Sequence, residues 1–418
     1  MTSLQSPLAR HALPGGAVVQ APLADRAVDK NLVWLSCAIY LVGYAGYSLA
    51  DTSDAFESLR YLVYAVPLVL ALSVVTNGGF PISKAPLLLF MTYVTLCLMM
   101  YMVGVKDESA FIHESVILGL IMMIFIPVIR VEFSQIQTTF LVSMVYFALA
   151  FVSTDHGGVR LLQILESGTG SGVETGYDNH QGGLVGPVYF VFFAAIGAKF
   201  YAGIALVMSV LGGKRIGVIA IIVGLTALLL FRKVDFLRSK GVRFIVLLGC
   251  LTLINLIGTN LNFISERVYQ KLDLEVSLEE VMLGRYAISS ELIRKMNASS
   301  TVQTLFGSGA GAANATATAV TDGTLTLPHN DWLKIRYDYG IVGSIALTVF
   351  LARMYSSSAV GASLMLTIAV MMITDNVFVY LYYQFVLALL LLYAGEWETG
   401  ASRLPWRSLS HRRRDVMG

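Results

Sequence analysis

The chain has 418 residues, 56% of them hydrophobic and 13% charged, with a net charge of +2 and a mean hydropathy of +0.70. A soluble domain this apolar could not cover its surface with polar groups, so the composition predicts an all-α, polytopic integral membrane protein. The net charge argues neither for nor against nucleic acid, but no basic stripe with interleaved aromatics appears, which sets a nucleic-acid-binding role aside; Cys37, Cys97 and Cys250 are too few and too scattered for a disulfide framework or a zinc site.

Residues 1–30 are polar and mixed, with Arg10, Asp25, Arg26 and Asp29, and read as a cytoplasmic tail. Apolar runs long enough to cross a bilayer then recur near 31–50, 59–76, 86–104, 111–129 and 136–153. They continue at 184–198, 200–211, 214–231 and 242–259, then at 331–352, 357–374 and 376–394. These make about twelve spans. The run at 200–211 is short, as in a half-helix or a tight hairpin. The layout is a transmembrane body over 31–259 containing a polar loop at 154–183, a large loop over 260–330, C-terminal helices over 331–394 and a basic tail over 395–418.

Lysine and arginine set the orientation. Arg232, Lys233, Arg238 and Lys240 crowd one loop, and Arg403, Arg407, Arg412, Arg413 and Arg414 fill the tail. Both termini are therefore expected in the cytoplasm and both long loops outside. Lys214-Arg215 then falls on the outer face, against the charge rule. It reads either as a snorkelling pair at lipid head groups or as a phosphate clamp, since the guanidinium fork matches phosphate oxygens.

The first outer loop ends Tyr177-Asp178-Asn179-His180-Gln181-Gly182-Gly183. Its polar groups suit sugar hydroxyls or merely solvate a connector. Asp155, His156, Asp178 and His180 follow no known metal-ligand spacing. The second loop holds amphipathic stretches at 263–279 and 281–296, the latter carrying Arg285, Arg294 and Lys295. Both are expected on the membrane surface or the protein's outer face. Leu305-Phe306-Gly307-Ser308-Gly309-Ala310-Gly311 predicts a flexible turn, and 311–326 has so little to bury that it predicts a mobile lid. Pro328 stops that run and His329 follows. Asn330 or Asp331 would cap the next helix, Lys334 and Asp338 would pair along it, and Gly340 and Gly343 would admit close helix packing.

Four features in this order resemble the bacterial O-antigen polymerases and O-antigen ligases. They are Lys214-Arg215-Ile216-Gly217, Leu283-Gly284-Arg285-Tyr286, Phe306-Gly307-Ser308-Gly309, and His329-Asn330 with Leu333, Gly340 and Gly343. The motif-bearing part covers residues 184–394. Lys214 stands where Ser or Thr is common in that family, and Ser289 where a tryptophan is common.

The resemblance implies a GT-C-type, metal-independent, inverting glycosyltransferase of the inner membrane, with no cofactor and a periplasmic active site. Its donor would be an oligosaccharide on undecaprenyl pyrophosphate. Its acceptor would be a second lipid-linked repeat, for a polymerase, or the lipid A core, for a ligase, with a chain-length regulator as a possible partner. His329 would be the catalytic base, because an imidazole ordinarily titrates at about 6.5. Arg215 and Arg285 would hold the departing pyrophosphate, and Lys214, Asn330, Arg294 and His180 would bind substrate. A transporter or flippase is the reading from another class. It would place cations along a central cavity and often carries internal repeats; here most spans are uncharged and no half is duplicated.

Overall fold

The computed structural model describes residues 30–49, 66, 131–152, 181–272, 285–377 and 380–398. The expected spans at 59–76, 86–104 and 111–129 and nearly all of the first outer loop lie outside them. Among the described residues the architecture is all-helical, with thirteen α-helices. In chain order they are α1 (Lys30–Leu49), α2 (Phe133–Val152), α3 (Gly186–Ile196), α4 (Lys199–Leu211), α5 (Arg215–Lys233), α6 (Lys240–Thr259) and α7 (Leu261–Leu272). Then come α8 (Arg285–Asn297), α9 (Thr301–Phe306), α10 (Ala312–Val320), α11 (Asp331–Tyr355), α12 (Ala359–Met371) and α13 (Leu381–Glu398). A π-helical turn, Gln181–Val185, leads into α3.

Three of these helices, α5, α6 and α11, are long and apolar enough to cross a membrane. They give the chain the build of a membrane protein; among the described residues twelve crossings are not seen. The short run at 200–211 is one arm of a hairpin, in which α3 ends at Gly197 (φ 78) and α4 returns. Large apolar side chains face outward along the outer helices, among them Phe200, Val207, Ile222, Ile245 and Leu253, as expected of surfaces that meet lipid rather than water.

α12 is buried along its whole length and forms the axis. Its sequence explains this: small residues alternate with Leu and Met on every face, so neighbours can approach from all sides. The tightest approach is to α5, where a Cβ on Gly224 would lie 2.1 Å from Thr367 Oγ1. α6 meets α11 through a polar seam, with Asn255 Nδ2 donating to Ser344 Oγ at 2.8 Å and Thr348 Oγ1 at 3.3 Å. Between apolar helices such a bond fixes register where hydrophobic contact cannot. Aromatic rings join α2 to α3, with Phe140 4.9 Å from Tyr189 and 5.0 Å from Phe193. Tyr382 of α13 donates to Thr139 O of α2 at 2.8 Å.

The chain direction of these helices defines two ends. α5, α8 and α11 begin at one end, where α6 and α12 finish. At the other lie Arg232, Lys233, Arg238, Lys240 and Arg353, grouped as the charge pattern predicts.

Two expectations about the large loop change. The amphipathic stretches are helices, α7 and α8, but 311–326 is not a lid. It contains α10, whose Ala312, Ala313 and Ala317 pack on Ile288 and Leu292 of α8 and on Leu333 and Tyr337 of α11. The run does lack apolar bulk of its own; its neighbours supply it, and alanine lets them close in. The glycine turn is likewise docked rather than loose. Ser308 N donates to Tyr337 O at 2.9 Å and Gly309 N to Asp338 O at 3.0 Å.

Gly340 plays a different part from the helix packing expected of it. It breaks α11 with φ 66 and ψ −166, a region open essentially to glycine alone. A Cβ there would lie 2.4 Å from Leu305 O and 2.5 Å from Gly307 N. The Gly343 position faces its own helix, 2.4 Å from Tyr339 Cβ. The Lys334–Asp338 pair forms at 2.8 Å, with the side chains 5% and 0% exposed, so it is an interior pair rather than a surface one.

Candidate functional site

The short connection after α12 is the platform on which one end of the bundle is assembled. Asp331 N donates to Met372 O at 3.0 Å, and Trp332 Nε1 donates to Ala369 O at 2.9 Å. Trp332 also lies on the bare backbone of Gly258, where an added Cβ would be 2.9 Å from its ring. Asn330 caps α11 by accepting from Leu333 N and donates its own amide to Gly258 O, both at 2.9 Å. The start of α11 is thus wedged between the ends of α6 and α12, and His329 is set immediately before it.

Three predicted residues meet on this platform. Arg285, the first residue of α8, donates from Nη1 to Thr374 O at 2.9 Å. Lys214, just before α5, forms an ion pair through Nζ with Asp375 Oδ2. His329 Nδ1 lies 3.9 Å from Asp375 Oδ1. Lys214 reaches Asp375 over the bare backbone of Gly183 in the π-helical turn, since a Cβ there would be 2.6 Å from Lys214 Cγ. π-turns recur beside functional sites.

His329 has φ 53, an uncommon conformation for a residue with a Cβ. Its Nδ1 is buried without a hydrogen-bond partner, and its side chain is 13% exposed. The Asp375 side chain is 2% exposed, and Oδ1 also accepts from Asn376 N at 2.9 Å. Asn376 is fully buried, and neither amide atom of its side chain has a partner. Asp375 and Asn376 were not foreseen from sequence. They sit where one apolar run ends and the next begins, and read as a mere span boundary. The available signal was an acid beside an amide in an otherwise uncharged stretch, since polar groups at membrane depth are costly unless used.

The other predicted residues divide. Arg215 is exposed in the first turn of α5, next to Lys214. Arg294 is not brought to the platform interactions. It faces solvent and forms a two-pronged pair with Glu291 at 2.7 Å on both contacts, and hydrogen bonds from Arg294 hold the Glu291 carboxyl below its ordinary range. Both polar groups of the Asn330 amide are engaged in holding α11, so it positions His329 rather than facing a ligand. His180 lies outside the described residues.

Chemically the site sets an imidazole 3.9 Å from a buried carboxylate, adds Lys214 and Arg285, and gathers the N-termini of α5, α8 and α11 at the same end. Helix N-termini and guanidinium groups favour anions. A carboxylate this close to an imidazole offsets the positive charge that a base acquires. The arrangement suits proton removal next to a bound polyanion. No family model matches the chain, and no curated protein and no solved structure is found to be similar to it.

Proposed function

We propose that the chain is a membrane glycosyltransferase that moves a glycan from a polyprenyl pyrophosphate to an acceptor hydroxyl. The observation that carries this reading is the meeting of Lys214, Arg285 and His329, residues far apart in sequence, on the Thr374–Asp375 connection. In the proposed reaction the acceptor oxygen attacks the anomeric carbon from the face opposite the pyrophosphate. The carbon–oxygen bond to pyrophosphate breaks and configuration inverts. The acceptor proton passes to His329 through Nε2, while Nδ1 stays toward Asp375. Arg285 and the exposed Arg215 stabilise the departing pyrophosphate, whose charge grows as the bond breaks. Lys214 holds Asp375 in place, a positioning role rather than direct contact with phosphate.

The motif order across residues 184–394 supports the O-antigen polymerase and ligase class, with Phe306-Gly307-Ser308-Gly309 and His329-Asn330 favouring a polymerase. In this reading the inner membrane holds the chain, both termini are cytoplasmic and the site is periplasmic. The test is a deletion strain complemented with this chain, followed by electrophoresis of its surface glycan. A single repeat on the core in the deletion identifies a polymerase. Free polymer beside bare core identifies a ligase. An unchanged glycan profile in the deletion removes the proposal.

A further inference from the structure

A second cationic group lies at the opposite end of the bundle, outside the proposed reaction. Arg232 lies in the last turn of α5 and Arg243 in the first turn of α6, with a 3-10 turn, Asp235–Arg238, between them. Arg232 Nη1 donates to Ala195 O at 2.8 Å, and its guanidinium lies 5.0 Å from the Trp397 ring. Arg243 donates from Nη2 to Arg238 O at 2.7 Å and from Nε to Leu237 O at 3.5 Å. Each guanidinium keeps one more nitrogen, Arg232 Nη2 and Arg243 Nη1, buried with no acceptor. Arg243 as a whole is only 6% exposed.

Glu398 lies within Coulombic reach of both groups. Its two oxygens, however, accept from Ala359 N and Val360 N at 2.9 Å each, capping the start of α12. Asp235 pairs with Arg238 at 3.0 Å on the exposed surface. Among the described residues, two guanidinium groups therefore share one carboxylate that is already engaged by backbone. A desolvated cation with an unmet donor is costly, and an anion with several acceptor oxygens relieves it.

We propose that Arg232 and Arg243 together bind a phosphate group at this end of the bundle. The guanidinium fork matches phosphate oxygens, and the two unmet donors come from helices that flank a single turn. Phe236, Leu230 and Ile245 are exposed nearby, so the position borders the apolar outer surface. A phosphate could therefore arrive on a lipid or from solution.

The test uses the full-length protein in neutral detergent. Native mass spectrometry follows binding of phosphatidylglycerol against diacylglycerol with the same acyl chains, and a thermal-shift series follows inorganic phosphate. One saturable phosphatidylglycerol is expected, bound about tenfold more tightly than diacylglycerol, with that preference lost in Arg232→Gln and Arg243→Gln. Lys240→Gln, at an exposed position, should leave it intact. Arg243→Lys keeps the charge without the fork and should lose part of the preference, which covers a Gln variant that fails to fold. Arginine-dependent binding of inorganic phosphate identifies a soluble ligand, and binding of the lipid alone identifies a head group. If neither probe binds in an Arg232- or Arg243-dependent way, the site does not exist.

Discussion

His329 holds a backbone conformation that asparagine tolerates and most residues resist. His329→Asn should therefore leave the melting temperature nearly unchanged while glycan transfer falls by about 10²–10⁴. A variant that transfers normally would remove the base from the mechanism. Asp375→Asn should lower kcat with little effect on KM, because in the proposed reaction the carboxylate acts on a charge that forms at His329; a change confined to stability would make Asp375 structural. Arg285→Ala should cost about 10–100-fold in kcat, as expected for losing a hydrogen bond to a charged group. Much of this site could be read from the sequence, because Lys214, Arg285 and His329 each break an apolar or flexible context. Asp375 carried a weaker signal, its pairing with Asn376 in an uncharged stretch, because an acid at the end of an apolar run looks like a loop residue until a partner is seen. Arg294 misled because its partner, Glu291, lies three residues away on the same helix face, a spacing visible in the sequence.

At the scale of elements, the glycine turn, α10 and the first part of α11 form one unit. Asp338 accepts Ala313 N at 2.7 Å and the Lys334 ammonium at 2.8 Å, so one carboxylate caps α10 and neutralises a buried cation. Asp338→Asn keeps the shape and removes the carboxylate from the Lys334 ion pair. Breaking one side of a buried pair costs about 3–5 kcal/mol, which thermal unfolding in detergent should register as a large drop. Gly340→Ala meets both the forbidden backbone region and the Leu305 carbonyl, and should yield little folded protein by size-exclusion chromatography. Helix positions were legible here from apolar periodicity and from the Asn330 cap. The docking of 311–320 was not, because the residues that bury it lie on α8 and α11, and a segment-by-segment estimate of burial leaves them out.

For the whole molecule, the two polar ends should face opposite sides of the bilayer. With Cys37, Cys97 and Cys250 replaced by serine, Asp322→Cys and Lys240→Cys should react with a membrane-impermeant thiol reagent from opposite sides. Labelling of both from one side would overturn the layout. The α3–α4 hairpin has a further consequence. Its arms, Gly186–Ile196 and Lys199–Leu211, rise only roughly 17 and 20 Å at α-helical pitch, against roughly 28 Å for α5 beside them. An ordinary hydrocarbon layer is about 30 Å thick, which α5 matches and the hairpin does not. Lipids beside the hairpin thin locally, at an elastic cost that grows with acyl length. Turnover in reconstituted vesicles should accordingly peak in short-chain lipid and decline as the chains lengthen, which makes bilayer thickness itself a control on this protein.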